Sequence, residues 1–98
     1  MRDLVEKVIK WSDKKGILEQ STSHQQFEKL IEEVFELHEA LILGDKAAIV
    51  DAIGDCQVCL INVAELEELD YVGCLEDAYD VIKDRKGKMV NGKFEKDA

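Results

Sequence analysis

The sequence predicts an all-α protein: an antiparallel, four-helix bundle-like single domain spanning residues 1–98 and completed by oligomerisation. Three observations predict it. Proline is absent and there are only six glycines, so the frequent turn punctuation of an all-β sandwich is missing. Apolar residues recur at three- and four-residue intervals through four separate stretches, the period of helices with one buried face. The chain, at 98 residues, has room for one core but not two.

The first stretch, residues 3 to 15, carries Leu4, Val5, Val8 and Ile9 at helical spacing and stops at Gly16. Ser21, Thr22 and Ser23 offer N-caps for a second helix over residues 24 to 43, with Phe27, Leu30, Ile31, Val34, Leu41 and Ile42 as its apolar stripe and Gly44 at its end. Asp45 caps a third over 46 to 67, apolar almost all the way round, and a helix of that kind is normally buried. Three partners in so short a chain cover it poorly, so its remaining face is expected to meet another subunit, in a dimer or tetramer. Asp70 caps a fourth, with Val72, Leu75, Ala78, Tyr79 and Ile82 in one stripe. Beyond it, Asn91-Gly92 between Val90 and Phe94 suits a small hairpin or a tail; residues 87–98 are read as a basic tail ordered by contact.

The net charge is −9, a field that repels nucleic acid and anionic membranes. The charge is segregated. Residues 83 to 96 hold Lys83, Arg85, Lys86, Lys88, Lys93 and Lys96 against Asp84 and Glu95, a local +4 that leaves −13 on the remainder. No apolar run near 18 residues suggests a membrane span, and the opening MRDLVEKVIKW is not a secretory signal, so a cytoplasmic protein is expected. Cys56, Cys59 and Cys74 are odd in number and lie in apolar stretches, as buried reduced thiols do. Cys56-x-x-Cys59 lies within a helix and has no second cysteine pair, so it reads weakly as a zinc or redox motif.

Acids on the apolar third helix stand out. Advancing about 100° per residue from Val50, Asp51 falls near 100°, Asp55 near 140° and Asn62 near 120°, so the three make one polar stripe. Two carboxylates one turn apart on a buried helix repel and need a cation or several donors. Gly54 between them marks a close approach of a ligand or another backbone, or tight helix packing. The second helix offers Glu32, Glu33, Glu36 and Glu39 on the face opposite its apolar stripe, which taken alone is what a solvated face looks like. A tight turn at Gly44 and Asp45 changes that reading, because it folds the two helices antiparallel and sets Asp55 level with Glu33 and Glu36. An all-oxygen set selects Mg²⁺, with Mn²⁺ as a substitute, over zinc.

At these residues the sequence resembles the MazG-like nucleoside triphosphate pyrophosphohydrolases of the phage type, an all-α family with an E-E-x-x-E motif on one helix and E-x-x-D on the next. Glu32-Glu33-Val34-Phe35-Glu36 matches the first motif. The second departs: Ala52 stands at its E position, and Asp51 is the nearest acid to take that role beside Asp55. Trp11, Gly16-Ile17, Gln26, Lys29, and Tyr79 with IKDRKGKMVNGKF extend the likeness. The resemblance implies Mg²⁺-dependent hydrolysis of an NTP or dNTP to the monophosphate and pyrophosphate by activated water. Glu33, Glu36, Asp51 and Asp55 would hold metal, Glu32 would orient or deprotonate the water, and Glu33, Glu36 and Asp55 would complete the catalytic group.

For substrate contact the candidates are Lys83, Arg85, Lys86 and Lys88, with Lys83 and Lys86 on one helix face, together with Lys29, Asn62 and Trp11. Trp11 also suits a core or interface, and the basic segment also suits a solubilising tail. His24 and His38 lack ligand partners, and His38 is expected as a core histidine on the second helix. Two other readings compete: a phosphoribosyl-ATP pyrophosphatase of the same architecture, and a non-catalytic acidic helical module that binds a protein.

Overall fold

In the computed structural model, which describes residues 1–98, one helix is the axis of the protein. This is α4 (Lys46–Leu66), preceded by α1 (Arg2–Lys14), α2 (Ile17–Gln20) and α3 (Ser23–Leu43), and followed by α5 (Tyr71–Ile82), β1 (Gly87–Val90) and β2 (Lys93–Lys96). α3 packs along α4, whereas α1, α2 and α5 meet α4 elsewhere and α1 also touches α2 and α5. The chain is mostly helical, as the period predicts. The apolar period assigns no element to the segment between Gly16 and Ser21, where the short α2 lies; Gly16, in the left-handed region at φ 82°, is the residue that opens that single turn.

Capping explains the boundaries. The Thr22 hydroxyl accepts from the Gln25 amide, and the Gln25 side chain accepts from the Thr22 amide, a reciprocal box that starts α3. Gly44, at φ 65°, ends α3, and Asp45 accepts from the Ala48 amide to start α4 two residues later. A connection that short makes α3 and α4 an antiparallel pair. Asp70 stands at the N-cap of α5, though its side chain makes no capping hydrogen bond; its carboxylate is paired with Arg2 at 2.8 Å, and Arg2 also reaches Glu76 at 2.7 Å.

Only 10 of 98 residues are buried, and the core within the chain is Val5, Ile61 and Val72, with Val8, Ile9 and Tyr71 against it. The stripe on α3 is not its covered face. Phe27, Ile31, Val34 and Leu41 are exposed, while Glu33 and Ala40 are the residues α3 buries. His38 is exposed as well, so it is no core histidine. Cys59 is buried, but Cys56 is partly open and Cys74 exposed, so burial of all three thiols does not hold. A Cβ at Gly54 would meet nothing of its own chain.

α4 is long and apolar enough to cross a membrane by length and composition, with a mean hydropathy of 1.5 over its window. The expectation that no such run exists is therefore corrected. Core helices pass the same test, and α4 has α1 and α3 packed on it.

The accessible surface is 7761 Å² and the radius of gyration 15.8 Å. A folded monomer of this mass exposes about 5,700 Å² with a radius near 13 Å, so this chain is open for its size.

The C-terminus is a hairpin rather than a tail. β1 and β2 pair antiparallel, Met89 opposite Phe94, around Asn91 and Gly92 with φ of 51° and 79°. Both central residues at positive φ suit the type I′ turn, whose twist matches that of the strands. The hairpin packs on no helix.

Candidate metal centre

The α3–α4 pairing sets Glu33, Glu36 and Asp55 together, with one carboxylate oxygen from each within 4.8 Å of the others. Glu33 is 94% covered (6% exposed), Asp55 half-buried and Glu36 exposed, so the group opens to solvent on one side. The Glu33 Oε1 atom lies 3.5 Å from Lys29 Nζ. Its other oxygen, Oε2, is buried and has no hydrogen-bond partner. A buried carboxylate oxygen without a donor is costly in a folded chain, and a bound cation would satisfy it.

The electrostatics agree with the geometry. Burial holds the Glu33 carboxyl above its usual range; the neighbouring Glu36 pushes the same way, and Lys29 opposes them. Asp55 is raised by burial first, then by the charges of Asp51 and Glu33, again against Lys29. The Lys29 ammonium is raised by its hydrogen bond to Glu32 and the charges of Glu32 and Glu33. Carboxylates that mutually disfavour ionisation hold their protons more tightly, and a cation placed among them would favour the charged forms again.

The other acids of the motif stand further out. Asp51 is exposed and outside the three-oxygen group, though near enough for its charge to act on Asp55. Glu32 turns to Lys29, 3.3 Å from its Nζ, and is exposed. Cys56 and Cys59 border the group without joining it; burial and then the Glu33 charge raise both thiols, which keeps them protonated and unreactive.

Beside the carboxylates opens a cleft of about 390 Å³ lined by Trp11, Gln26, Lys29, Glu33, Asp55 and Asn62, with Ile17 and Val58 among its apolar walls. Trp11 is 49% exposed. Asn62 is held from two sides: the fully buried Ser12 hydroxyl donates to its Oδ1 at 2.6 Å, and its Nδ2 donates to Gln26 Oε1 at 3.1 Å. Gln26 Nε2 then donates to Ser21 Oγ at 3.0 Å. This relay ties α1, α4 and α3 together at the cleft wall. Ser12 carries a sequence signal of its own: it continues the Val5, Val8, Ile9 spacing on the packed face of α1, where a hydroxyl needs a buried partner.

Of the proposed phosphate contacts, Lys29 is at the cleft and Lys83, Arg85, Lys86 and Lys88 are not. α5 ends at Ile82, so Lys83 and Lys86 do not share a helix face. Lys83 pairs with Asp80 at 3.4 Å, and Lys88 stands opposite Glu95 in the ladder.

No protein-family model matches the chain, and no solved structure matches it. One curated relative is 32% identical over 72 residues, described as an uncharacterized 18.2 kDa protein in the rep-hol intergenic region of Haemophilus phage HP1. The match takes in 74% of this chain and 44% of the relative, so the chain spans less than half the length of the phage protein it resembles.

Proposed function

We propose that this protein is a Mg²⁺-dependent nucleoside triphosphate pyrophosphohydrolase of the MazG-like kind, working as a homo-oligomer in which a second copy completes the helical bundle. The observation that carries the reading is the buried, unpartnered Glu33 Oε2 within reach of Glu36 and Asp55. A solvated acidic face does not bury a carboxylate without a donor, whereas a set of oxygens selective for a hard cation does. Glu33, Glu36 and Asp55 would hold the ion, with Asp51 flanking them. A divalent cation held there would supply Lewis acidity and would lower the pKa of a water.

The chain's own groups do the rest. Lys29 offers a cation to the phosphates at the mouth of the cleft, and Glu32, paired with it, orients the attacking water and takes its proton. The new P–O bond forms to the water oxygen as the bridge between the α and β phosphates breaks, with pyrophosphate leaving. The nucleoside lies in the cleft, its base against Trp11 and its polar edge toward Asn62.

The test is product analysis over canonical and modified NTPs and dNTPs, and phosphoribosyl-ATP, with and without Mg²⁺ or Mn²⁺. Metal-dependent monophosphate and pyrophosphate are expected. If no triphosphate yields pyrophosphate with either ion, the carboxylates are structural and the reading fails.

A further inference from the structure

The C-terminal hairpin is the one part of the molecule that packs on nothing. A two-stranded ribbon alone in water is marginal at best, and this one shows Met89 and Phe94 side by side on one face, 65% and 51% exposed. Gly87 shares that face: a Cβ there would run into the Glu95 carbonyl and the Phe94 ring, so the ribbon is built for close pairing. The opposite face carries Lys88 and Lys93. Of the six bases in residues 83 to 96, only Lys83 makes an ion pair, and that pair stays within its own turn. With Asp80 set against Lys83, a net +3 of this segment is left uncompensated within its own chain.

The complement lies on α3 and α4. α3 carries Glu28, Glu32, Glu33, Glu36 and Glu39 against Lys29 alone, and α4 adds Asp51 and Asp55 near the same end. The surface in excess of a folded monomer's is about 2,000 Å², or twice that over a pair of copies, which is the range of stable homodimer interfaces. A two-fold arrangement makes the exchange reciprocal, each arm meeting the other copy's acidic face.

We infer that the β1–β2 hairpin is an arm that docks on the acidic α3–α4 face of a second copy of this chain, bringing Lys86, Lys88 and Lys93 to the rim of that copy's carboxylate group. Each centre is then built from two chains, with carboxylates from one and arm cations from the other. The cations answer a deficit seen within a single copy, where Lys29 is the one base within ion-pair distance of the cluster. That these lysines contact a triphosphate rests on the pyrophosphohydrolase reading; the docking does not.

Two experiments keep the readings apart. The wild-type protein, prepared in equal amounts with natural and ¹⁵N nitrogen and mixed, is treated with a carbodiimide, which joins lysine to carboxylate only at contact. Peptides joining Lys86, Lys88 or Lys93 to Glu32, Glu36 or Asp51 should include mixed-isotope pairs. If those cross-links are all unmixed, or absent, or the protein sediments as a monomer, the arm does not dock in trans.

The second mixes Lys88→Glu/Lys93→Glu chains with Asp55→Asn chains, each inactive alone. About a quarter of wild-type pyrophosphate release should return, since half the dimers are mixed and each holds one intact centre. No recovery between variants shown to associate overturns the shared centre. Mixed cross-links on a wild type that hydrolyses no triphosphate would sink the enzyme reading and leave the docking standing.

Discussion

Lys29 Nζ stands 3.5 Å from Glu33 Oε1, one turn back along α3, while Glu33 Oε2 faces no donor at all. The lysine therefore answers half of one carboxylate and competes with any cation for the rest. Replacing it by methionine should act in opposite directions on the two ligands. Mg²⁺ binding, followed by calorimetry without nucleotide, should tighten severalfold because a repelling charge is gone. The KM for a triphosphate should rise, because the cleft loses its one cation. Parallel weakening of both would mean that Lys29 positions Glu33 rather than competing with the ion.

Removing a ligand should behave differently. In Glu33→Gln and Asp55→Asn the donor set loses a charge with little change of shape. Partners one step removed from a metal cost tenfold to a hundredfold, so pyrophosphate release should fall by about a hundredfold or more. Mg²⁺ should no longer raise the melting temperature of either variant. A variant that melts like wild type, responds to Mg²⁺ and keeps its activity would remove that residue from the centre.

The same carboxyls set a pH dependence with a definite sign. Glu33 and Asp55 are raised by burial and by neighbouring acids, so the folded, metal-free chain binds these protons more tightly than the unfolded chain. Their contribution favours folding at low pH and is lost as pH climbs from the ordinary carboxylate range through their raised values. Asp70 runs the other way: its hydrogen bond to Arg2 lowers it, and its contribution is lost as pH falls through that lowered value. Unfolding in chelator should therefore show Glu33→Gln gaining on wild type as pH rises from about 4 to 8, with the Mg²⁺-induced shift of the wild type growing over that range. A constant gap between the two proteins would place Glu33 outside any titration in that range.

Gly54 reports on what covers α4. A Cβ there meets nothing in its own chain, so in an isolated protomer Gly54→Ala should add about 1 kcal/mol through helix propensity, a rise of roughly 4–8 °C in a chain this small. A fall in melting temperature, with a shift to smaller species in sedimentation, would show that another copy approaches α4 at this point.

The carboxylate group was legible because two features of the chain dictate it: a two-residue turn at Gly44 and Asp45, and equal distances from that turn to Glu33 and Asp55. The burial of Glu33 was not legible. A periodic stripe says that a helix has two faces but not which neighbour covers either, and α3 buries Glu33 while Phe27, Ile31 and Val34 remain uncovered. The hairpin was half legible. Asn91-Gly92 marks the turn, but four-residue strands alternate too briefly to tell from coil. α2 is a single turn set by the left-handed Gly16, below the length at which any period shows.

Ser12 gives the last prediction, because it is fully buried and its one side-chain bond holds the amide at the cleft wall. Its hydroxyl donates to Asn62 Oδ1, which fixes the amide so that Nδ2 points at Gln26. Ser12→Ala leaves that oxygen buried without a donor, at a cost of about 1–3 kcal/mol. The released amide can then turn, and the donor it presents to the cleft is no longer fixed. Stability should fall by that amount, and discrimination among nucleobases should weaken more than kcat on the best substrate, since the carboxylates are untouched. Ser12→Thr, which restores a donor, should recover selectivity if the extra methyl is accommodated. Equal losses of kcat for every base, with selectivity intact, would show that the relay serves the fold and not the reading of the base.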